Sequence, residues 1–233
     1  MTPLFLRELS IADEQQDTAK TRDLFNRYIP LLYSITAFFS CFICFQTSTL
    51  IKILGGDQFS GAVIPMAILS IYPIHQVYGQ LSTALFYARS DTKFLRNISI
   101  FKHVLGLIMA YLFMAPNEYG GLGMGAIGLT FKMVVVQIIG VNIGLYFNVK
   151  CMQLKYSKFV KHQILVLILL ISLAWITSSL VNLFNFHFII NFLFSGFLYS
   201  IFAGVVAWNY PNLIGLTKDH YMQLIDKMTT YFK

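Results

Sequence analysis

No aspartate or glutamate falls inside any long apolar run of this 233-residue chain; all ten acidic residues sit in gaps, tails or run ends. Ion coupling in membrane transporters usually relies on intramembrane carboxylates. Coupling here would have to use histidine or something outside the chain. Charge of either sign is scarce, at 12% of residues, roughly half the share in soluble domains. That excludes an ordinary soluble fold. The net charge of +7 would suit a nucleic-acid partner only if basic residues shared a solvated face with exposed aromatics. Instead they occupy short gaps between apolar runs, so nucleic acid is not an expected partner. The three cysteines, none in an outward gap, provide no disulfide framework. Cys41 and Cys44 form a CxxC inside an apolar run with no second pair and no nearby histidine, which reads as packing. Neither a Ser/His/Asp grouping nor a carboxylate pair within a span offers catalysis. We expect no enzyme, no cofactor and no metal site. Gly123, Gly125 and Gly128 fit a dinucleotide glycine pattern, but no strand precedes them and no acidic residue follows about 20 positions on. Small residues at the start of a membrane helix, letting backbones approach closely, explain them better. The opening MTPLFLREL has too short an apolar run for a signal peptide.

What the chain has is apolar length: 57% of residues are hydrophobic and 16% aromatic. About 20 apolar residues cross a bilayer core. Six windows qualify, at 29–54, 62–88, 98–115, 122–149, 163–183 and 188–208. Lys and Arg accumulate in cytoplasmic gaps, and alternate gaps here are basic. They hold Arg7, Lys20, Arg22 and Arg27; then Arg89, Lys93 and Arg96, with Lys102 one turn inside; then Lys150, Lys155, Lys158 and Lys161; then Lys218, Lys227 and Lys233. The intervening gaps, near Gly55–Ser60, Pro116–Gly121 and Phe184–His187, contain neither Lys nor Arg. The expected protein is therefore all-α and polytopic, with six transmembrane helices and both termini cytoplasmic. Residues 1–28 form a cytoplasmic connector, 29–208 the membrane domain and 209–233 an amphipathic tail. In that tail Leu216, Tyr221, Leu224, Ile225 and Met228 repeat at helical spacing, suiting a helix on the inner surface.

Two features inside the spans point to chemistry. In the second, Tyr72, Gln76, Gln80, Thr83 and Tyr87 fall within an arc of about 80° at 100° per residue, and Pro65 and Pro73 mark a bent helix. Two glutamines facing lipid would be costly, so this stripe meets protein or water. Interhelical hydrogen bonding and the wall of a hydrated cavity suited to sugars both remain open. Lys132 lies about ten residues, or roughly 15 Å, from the outer end of the fourth window. A charged lysine at that depth costs on the order of 2.5–3.5 kcal/mol unless relieved. Backbone carbonyls or an anionic substrate would relieve it. Gly125, Gly128, Ile139 and Tyr146 share its face. Lys52, near the outer end of its helix, reaches the interface and is a secondary candidate.

Several segments carry a resemblance. They are a TPLF opening (Thr2 to Phe5) with Glu8, a polar helix, LIKILGGDQFSGA with Gly56, Phe59 and Ala62 in a Gly-x-x-Phe/Tyr-x-x-Ala turn, ILSIYPIHQVYGQLSTALFYARSDTK, and GGLGMGAIGLTFK. Together they resemble the C-terminal half of polysaccharide and lipid-linked oligosaccharide flippases of the multidrug/oligosaccharidyl-lipid/polysaccharide superfamily. The resemblance implies the C-terminal lobe of a MATE-like flippase fold, about the ninth to fourteenth spans, with residues 1–28 including the end of a preceding span. It implies a multi-pass protein of the cell inner (plasma) membrane, in contact with membrane lipids. The activity implied is flipping an undecaprenyl-linked polysaccharide or oligosaccharide unit by alternating access. A missing N-terminal half, or a partner chain, would supply the other lobe. Lys132 would then contact the pyrophosphate and the Tyr72–Tyr87 stripe the sugars. The two Phe/Leu/Ile-rich final spans would be peripheral. A drug or cation antiporter of the same superfamily, and a non-transport subunit or enzyme of envelope polysaccharide assembly, are the alternatives. If the chain is a fragment, sequencing the DNA immediately upstream will find an open frame for about eight more spans.

Overall fold

The computed structural model describes residues 2–184 and 186–214. Lys218, Lys227, Lys233 and the amphipathic repeat from Leu216 to Met228 lie outside them. The helices are α1 (Thr2–Glu14), α2 (Thr18–Gly55), α3 (Val63–Leu69), α4 (Tyr72–Ala88), α5 (Thr92–Met114), α6 (Gly125–Cys151), α7 (Tyr156–Asn182) and α8 (Phe188–Asn209). Among the described residues there is no strand. Six helical segments are long and apolar enough to cross a membrane: α2, the stretch Asp57–Ala88, α5, α6, α7 and α8. Each overlaps one expected window, but two ends moved in ways that matter. α2 starts at Thr18, with Asp17 accepting from the Lys20 N–H at 2.9 Å. The boundary drawn between 28 and 29 therefore falls inside one continuous helix. α5 starts at Thr92, six residues before the expected 98.

Packing runs in the order α5, α6, α4, α2, α7, α8, with α1 lying on α4 and α2 and α3 bridging α6 and α2. The core sits where α2, α4, α6 and α7 meet. Phe25, Ile29, Tyr33, Ile74, Tyr78, Leu81, Leu85, Leu145 and Phe159 are buried there. α1 adds Phe5, Leu9 and Ala12, so the first helix is part of the fold. α7 is likewise no peripheral addition, since Phe159, Gln163, Val166, Leu170, Ala174, Thr177 and Val181 are buried. Of the final two spans only α8 fits that expectation, burying Ser195 and Tyr199.

One end of the bundle is basic. Arg22 donates to Gln153 at 3.2 Å and Lys158 to Asn26 at 3.3 Å, while Arg22, Arg89 and Cys151 line one small pocket. Three helices stop there in the same way. Gln16, Ser90 and Gln153 adopt positive φ, and the N–H of the following residue bonds five positions back, to Ala12, Phe86 and Val149. That closes the exposed carbonyls of α1, α4 and α6.

At the opposite end of α5 and α6 the glycine-rich link 120–125 runs back along the last turn of α5. The N–H groups of Leu122, Gly123 and Met124 bond to the carbonyls of Leu112, Ala115 and Phe113 at 2.8, 2.9 and 2.9 Å. Orphan helix-end carbonyls are satisfied this way without water. Gly120, Gly123 and Gly125 take positive φ, whereas Gly121 and Gly128 are required for contact. A Cβ on Gly121 would strike the Ala115 backbone, and one on Gly128 would lie 2.8 Å from the Phe113 oxygen. The glycines serve close approach, as expected, and turn formation as well.

The expected bend in the second span is a two-residue interruption, Ser70 and Ile71, which keep right-handed helical dihedrals between α3 and α4, with Pro73 in the first turn of α4. Proline lacks the donor that would continue the preceding helix. Gly128→Ala should lower stability by about 1–3 kcal/mol through overpacking against backbone, read as a lower melting temperature in detergent. Gly204→Ala, where the added carbon meets open space, should leave it unchanged.

Candidate functional site

α5 and α6 are antiparallel neighbours, and each lays a lysine across a glycine of the other. The Lys132 stem crosses α5 at Gly106, where a Cβ would stand 3.3 Å from its Cε and 3.6 Å from its Nζ. The Lys102 stem crosses α6 at Gly140, where a Cβ would stand 2.7 Å from its Cγ. At Gly140 a larger residue would displace the Lys102 stem, and at Gly106 an added carbon would press on the end of Lys132, so the seam between two apolar helices carries two aliphatic arms bearing charge. Lys102 Nζ donates to Gln137 Oε1 at 3.0 Å, a charge-assisted bond from one helix to the next. Lys132 has no hydrogen-bond or ion-pair partner among the described residues.

Both lysines open on one cavity of about 460 Å³, lined also by Tyr72, His103, Gly106, Met133, Val136 and Gln137. That volume is in the ordinary range for small-molecule sites. Its walls carry two ammonium groups, a phenol, an amide and an imidazole, and no carboxylate. His103 Nδ1 is tied to the Ser99 carbonyl at 2.6 Å, which requires hydrogen on Nδ1 and leaves Nε2 as an acceptor while the ring is neutral. A second cavity of about 70 Å³ continues towards the basic end, lined by Ser82, Thr83, Ser99, Lys102, Gly140 and Gly144 among others. Lys102 borders both. An anion with several oxygens fits this chemistry, and a cation does not.

The depths differ from expectation. α6 begins at Gly125, so Lys132 lies seven residues, about 10 Å, from its N-terminal end, the end away from the basic cluster. That is shallower than the expected ~15 Å. Lys102 was grouped with the basic gap before the third span, yet it stands ten residues, about 15 Å, inside α5. Counted along its own helix, Lys102 is the lysine farther from a helix end. Its signal in the sequence was the polar stretch 92–97, which counted as loop although nothing in it breaks a helix.

The structure divides the Tyr72–Tyr87 stripe. Tyr72 lines the large cavity and Thr83 the small one. Gln76, Gln80 and Tyr87 are exposed on the outer face of α4 and line neither. Inward from the stripe, Asn148 of α6 donates to the Ser82 hydroxyl and, at 3.1 Å, to its carbonyl. α4 thus presents polar groups both to α6 and outward. Of the residues sharing the face of Lys132, Gly128 abuts Phe113, and Ile139 and Tyr146 are exposed.

Lys52 belongs elsewhere. Its Nζ pairs with Asp57 at 3.5 Å and lies 5.8 Å from the Phe188 ring centroid, at the far end of α2. Cys41 and Cys44 are free thiols, Cys41 buried and Cys44 partly so. Among the described residues no group of three His, Cys, Asp or Glu side chains could hold a metal. Because the Lys52 pair is exposed, Lys52→Ala should change stability by less than about 1 kcal/mol and leave anion binding at the α5–α6 cavity intact. Titration of the variant with inorganic pyrophosphate checks this. No protein-family model, no curated protein and no solved structure matches the chain.

Proposed function

We propose that the chain is one lobe of a membrane transporter that moves an undecaprenyl-linked polysaccharide or oligosaccharide unit across the cytoplasmic membrane by alternating access. The observation that carries this reading is the pair Lys102 and Lys132 opening on a common cavity of about 460 Å³ that has no carboxylate among its lining residues. Ammonium groups inside a membrane are costly unless water or an anion accompanies them. A phosphate-bearing passenger supplies the anion, and the phenol and amide beside the lysines suit hydroxyl-rich sugars. An antiporter for cationic drugs is disfavoured by the same charge, since two ammonium groups repel a cation at close range.

A second lobe is part of the proposal. Only 6% of the apolar window of α5 and 11% of that of Asp57–Ala88 are buried, against 39% for α2 and for α6. Gln76, Gln80 and Tyr87 are on that open side. Glutamine amides do not face hydrocarbon at low cost, so a partner surface or a hydrated vestibule covers them. In this reading the missing N-terminal half, or a partner chain, closes the cavity from the α4–α5 side. The interruption between α3 and α4 gives a joint for rocking. Both termini then lie in the cytoplasm, with Arg22, Arg89 and Lys158 at the inner end.

In lipid nanodiscs the full chain should bind a prenyl pyrophosphate in preference to the neutral prenyl alcohol. Lys102→Ala and Lys132→Ala should each weaken binding about tenfold or more, the loss of one charge-assisted contact. The corresponding Arg variants should retain most of it. In cells, with its partner lobe present, Lys132→Ala should impair glycan export far more than Lys132→Arg at matched expression. Equal binding and export by wild type and the Lys102→Ala/Lys132→Ala double variant would remove the proposal.

A further inference from the structure

A second polar cluster lies away from the lysine cavity, where α2, α4 and α7 meet. The Tyr33 ring stands 4.8 Å from Tyr78, 6.0 Å from His75 and 5.9 Å from His162, centroid to centroid and edge to face. Tyr33 and Tyr78 are fully buried and His75 is 4% exposed. Tyr33 Oη, His75 Nδ1 and His162 Nδ1 are buried without a hydrogen-bond partner. Tyr78 has the Gln163 amide as a polar neighbour, and Gln163 Nε2 also donates to Asn142 at 3.4 Å. Roughly nine in ten buried polar groups in folded proteins are partnered. Three unpartnered atoms in one buried cluster call for a small polar partner, and water has the size and valence.

The cluster has a direction. His162 Nε2 meets the Leu213 carbonyl at 2.8 Å, and because a carbonyl only accepts, that nitrogen carries hydrogen. In the neutral ring Nδ1 is therefore an unpartnered acceptor. His162 lies six residues, about 9 Å, from the basic-end terminus of α7. His75 lies 13 residues, about 20 Å, from the corresponding end of α4. The two imidazoles thus mark the shallow and deep ends of a path, with two phenols between. Few other titratable groups act on it: Cys41 of α2 beside Tyr33 and Lys158 of α7 beside His162. α1 and α6 present Phe5, Leu9, Ala12, Val141 and Leu145 to this core. Among the described residues no carboxylate is recorded against these side chains.

We propose that the His75–Tyr33–Tyr78–His162 cluster is a hydrated proton-binding site reached from the basic end of the bundle. A hydronium ion there gives its proton to the His162 Nδ1 lone pair and becomes water. Across bridging water the imidazolium passes that proton to a tyrosine oxygen, whose own proton moves on to His75 Nδ1. His162 and the tyrosine end neutral, His75 gains one proton and one positive charge, and nothing is oxidised or reduced. Because no carboxylate is recorded beside His75 among the described residues, a form in which α4 has loosened from α2 and α7 and admits more water accommodates the added charge better. Acidification therefore shifts the population towards that form. His75 is three residues beyond Tyr72 of the lysine cavity and one turn beyond the interruption at Ser70–Ile71, so loosening here moves that cavity's wall.

The test uses the full chain in lipid nanodiscs and needs no substrate, so it stands or falls apart from the transport reading. Nitrogen-15 NMR of labelled histidines from about pH 8 to about pH 5 should show His75 and His162 in contact with water and titrating together. Over the same range, amide-exchange protection of residues 72–78, corrected for intrinsic rates, should fall about tenfold in wild type and stay constant in His75→Gln. His162→Gln should delay protonation of His75 without abolishing it, and serves if His75→Gln does not fold. Two neutral rings with no water contact across the range would overturn the proposal. So would a loss of protection that His75→Gln leaves unchanged.

Discussion

An ammonium group inside a membrane must keep oxygen around it, and the arrangement of α4, α5 and α6 follows from that. Lys102 reaches Gln137 across the helix pair, and Lys132 reaches out over Gly106 into open space. Gly140 stands where a larger side chain would displace the Lys102 arm, and Gly106 lies against the end of Lys132. The cavity is what remains between two helices once each has given up a side chain so that the other's lysine can pass. Its positive charge follows from the same residues.

The other polar groups are distributed by a different rule. Neutral hydrogen-bonding side chains such as Ser82, Asn148, Asn142 and Gln163 sit inside the four-helix core, tying α4 to α6 and α6 to α7 at modest cost. Tyr33, His75, Tyr78 and His162 extend that interior set but are not closed among themselves. α4 takes part in everything. One side carries Ile74, His75, Tyr78, Leu81 and Leu85 into the core, its first turn supplies Tyr72 to the cavity, and its outer face carries Gln76, Gln80 and Tyr87. A short helix that begins at an interruption in mid-span can tilt more readily than a continuous one, and this one bears on both polar sites.

Residue type revealed some of this and hid the rest. Lys132 stood out because it interrupts an unbroken apolar run. Lys102 did not, because the polar letters from Thr92 to Asn97 made it look like the edge of a loop, whereas they form the first turns of α5. Gln137 and Gly140 carry no signal alone; they matter only as the residues opposite Lys102. The stripe on α4 was visible at helical spacing, yet periodicity gives a direction around one helix and says nothing about which neighbour it meets. Tyr72 and Thr83 therefore turned inward to cavities while Gln76, Gln80 and Tyr87 did not. The Phe, Leu and Ile of the last two spans suggested a lipid-facing role, but Gln163, Val166 and Leu170 of the fifth face the core, because apolar side chains suit lipid and protein interior equally well.

By itself the sequence determined that the chain is helical, that six segments are long and apolar enough to cross a bilayer, and which gaps between them are basic. These properties follow from local composition, which depends on no neighbour. Only the tertiary structure decided that Lys102 and Lys132 share one cavity, that Lys52 is engaged by Asp57, and that two histidines and two tyrosines from three helices converge. Convergence depends on which helices pack together and at what rotation, and that is set by complementary glycines and bulky side chains far apart in the chain.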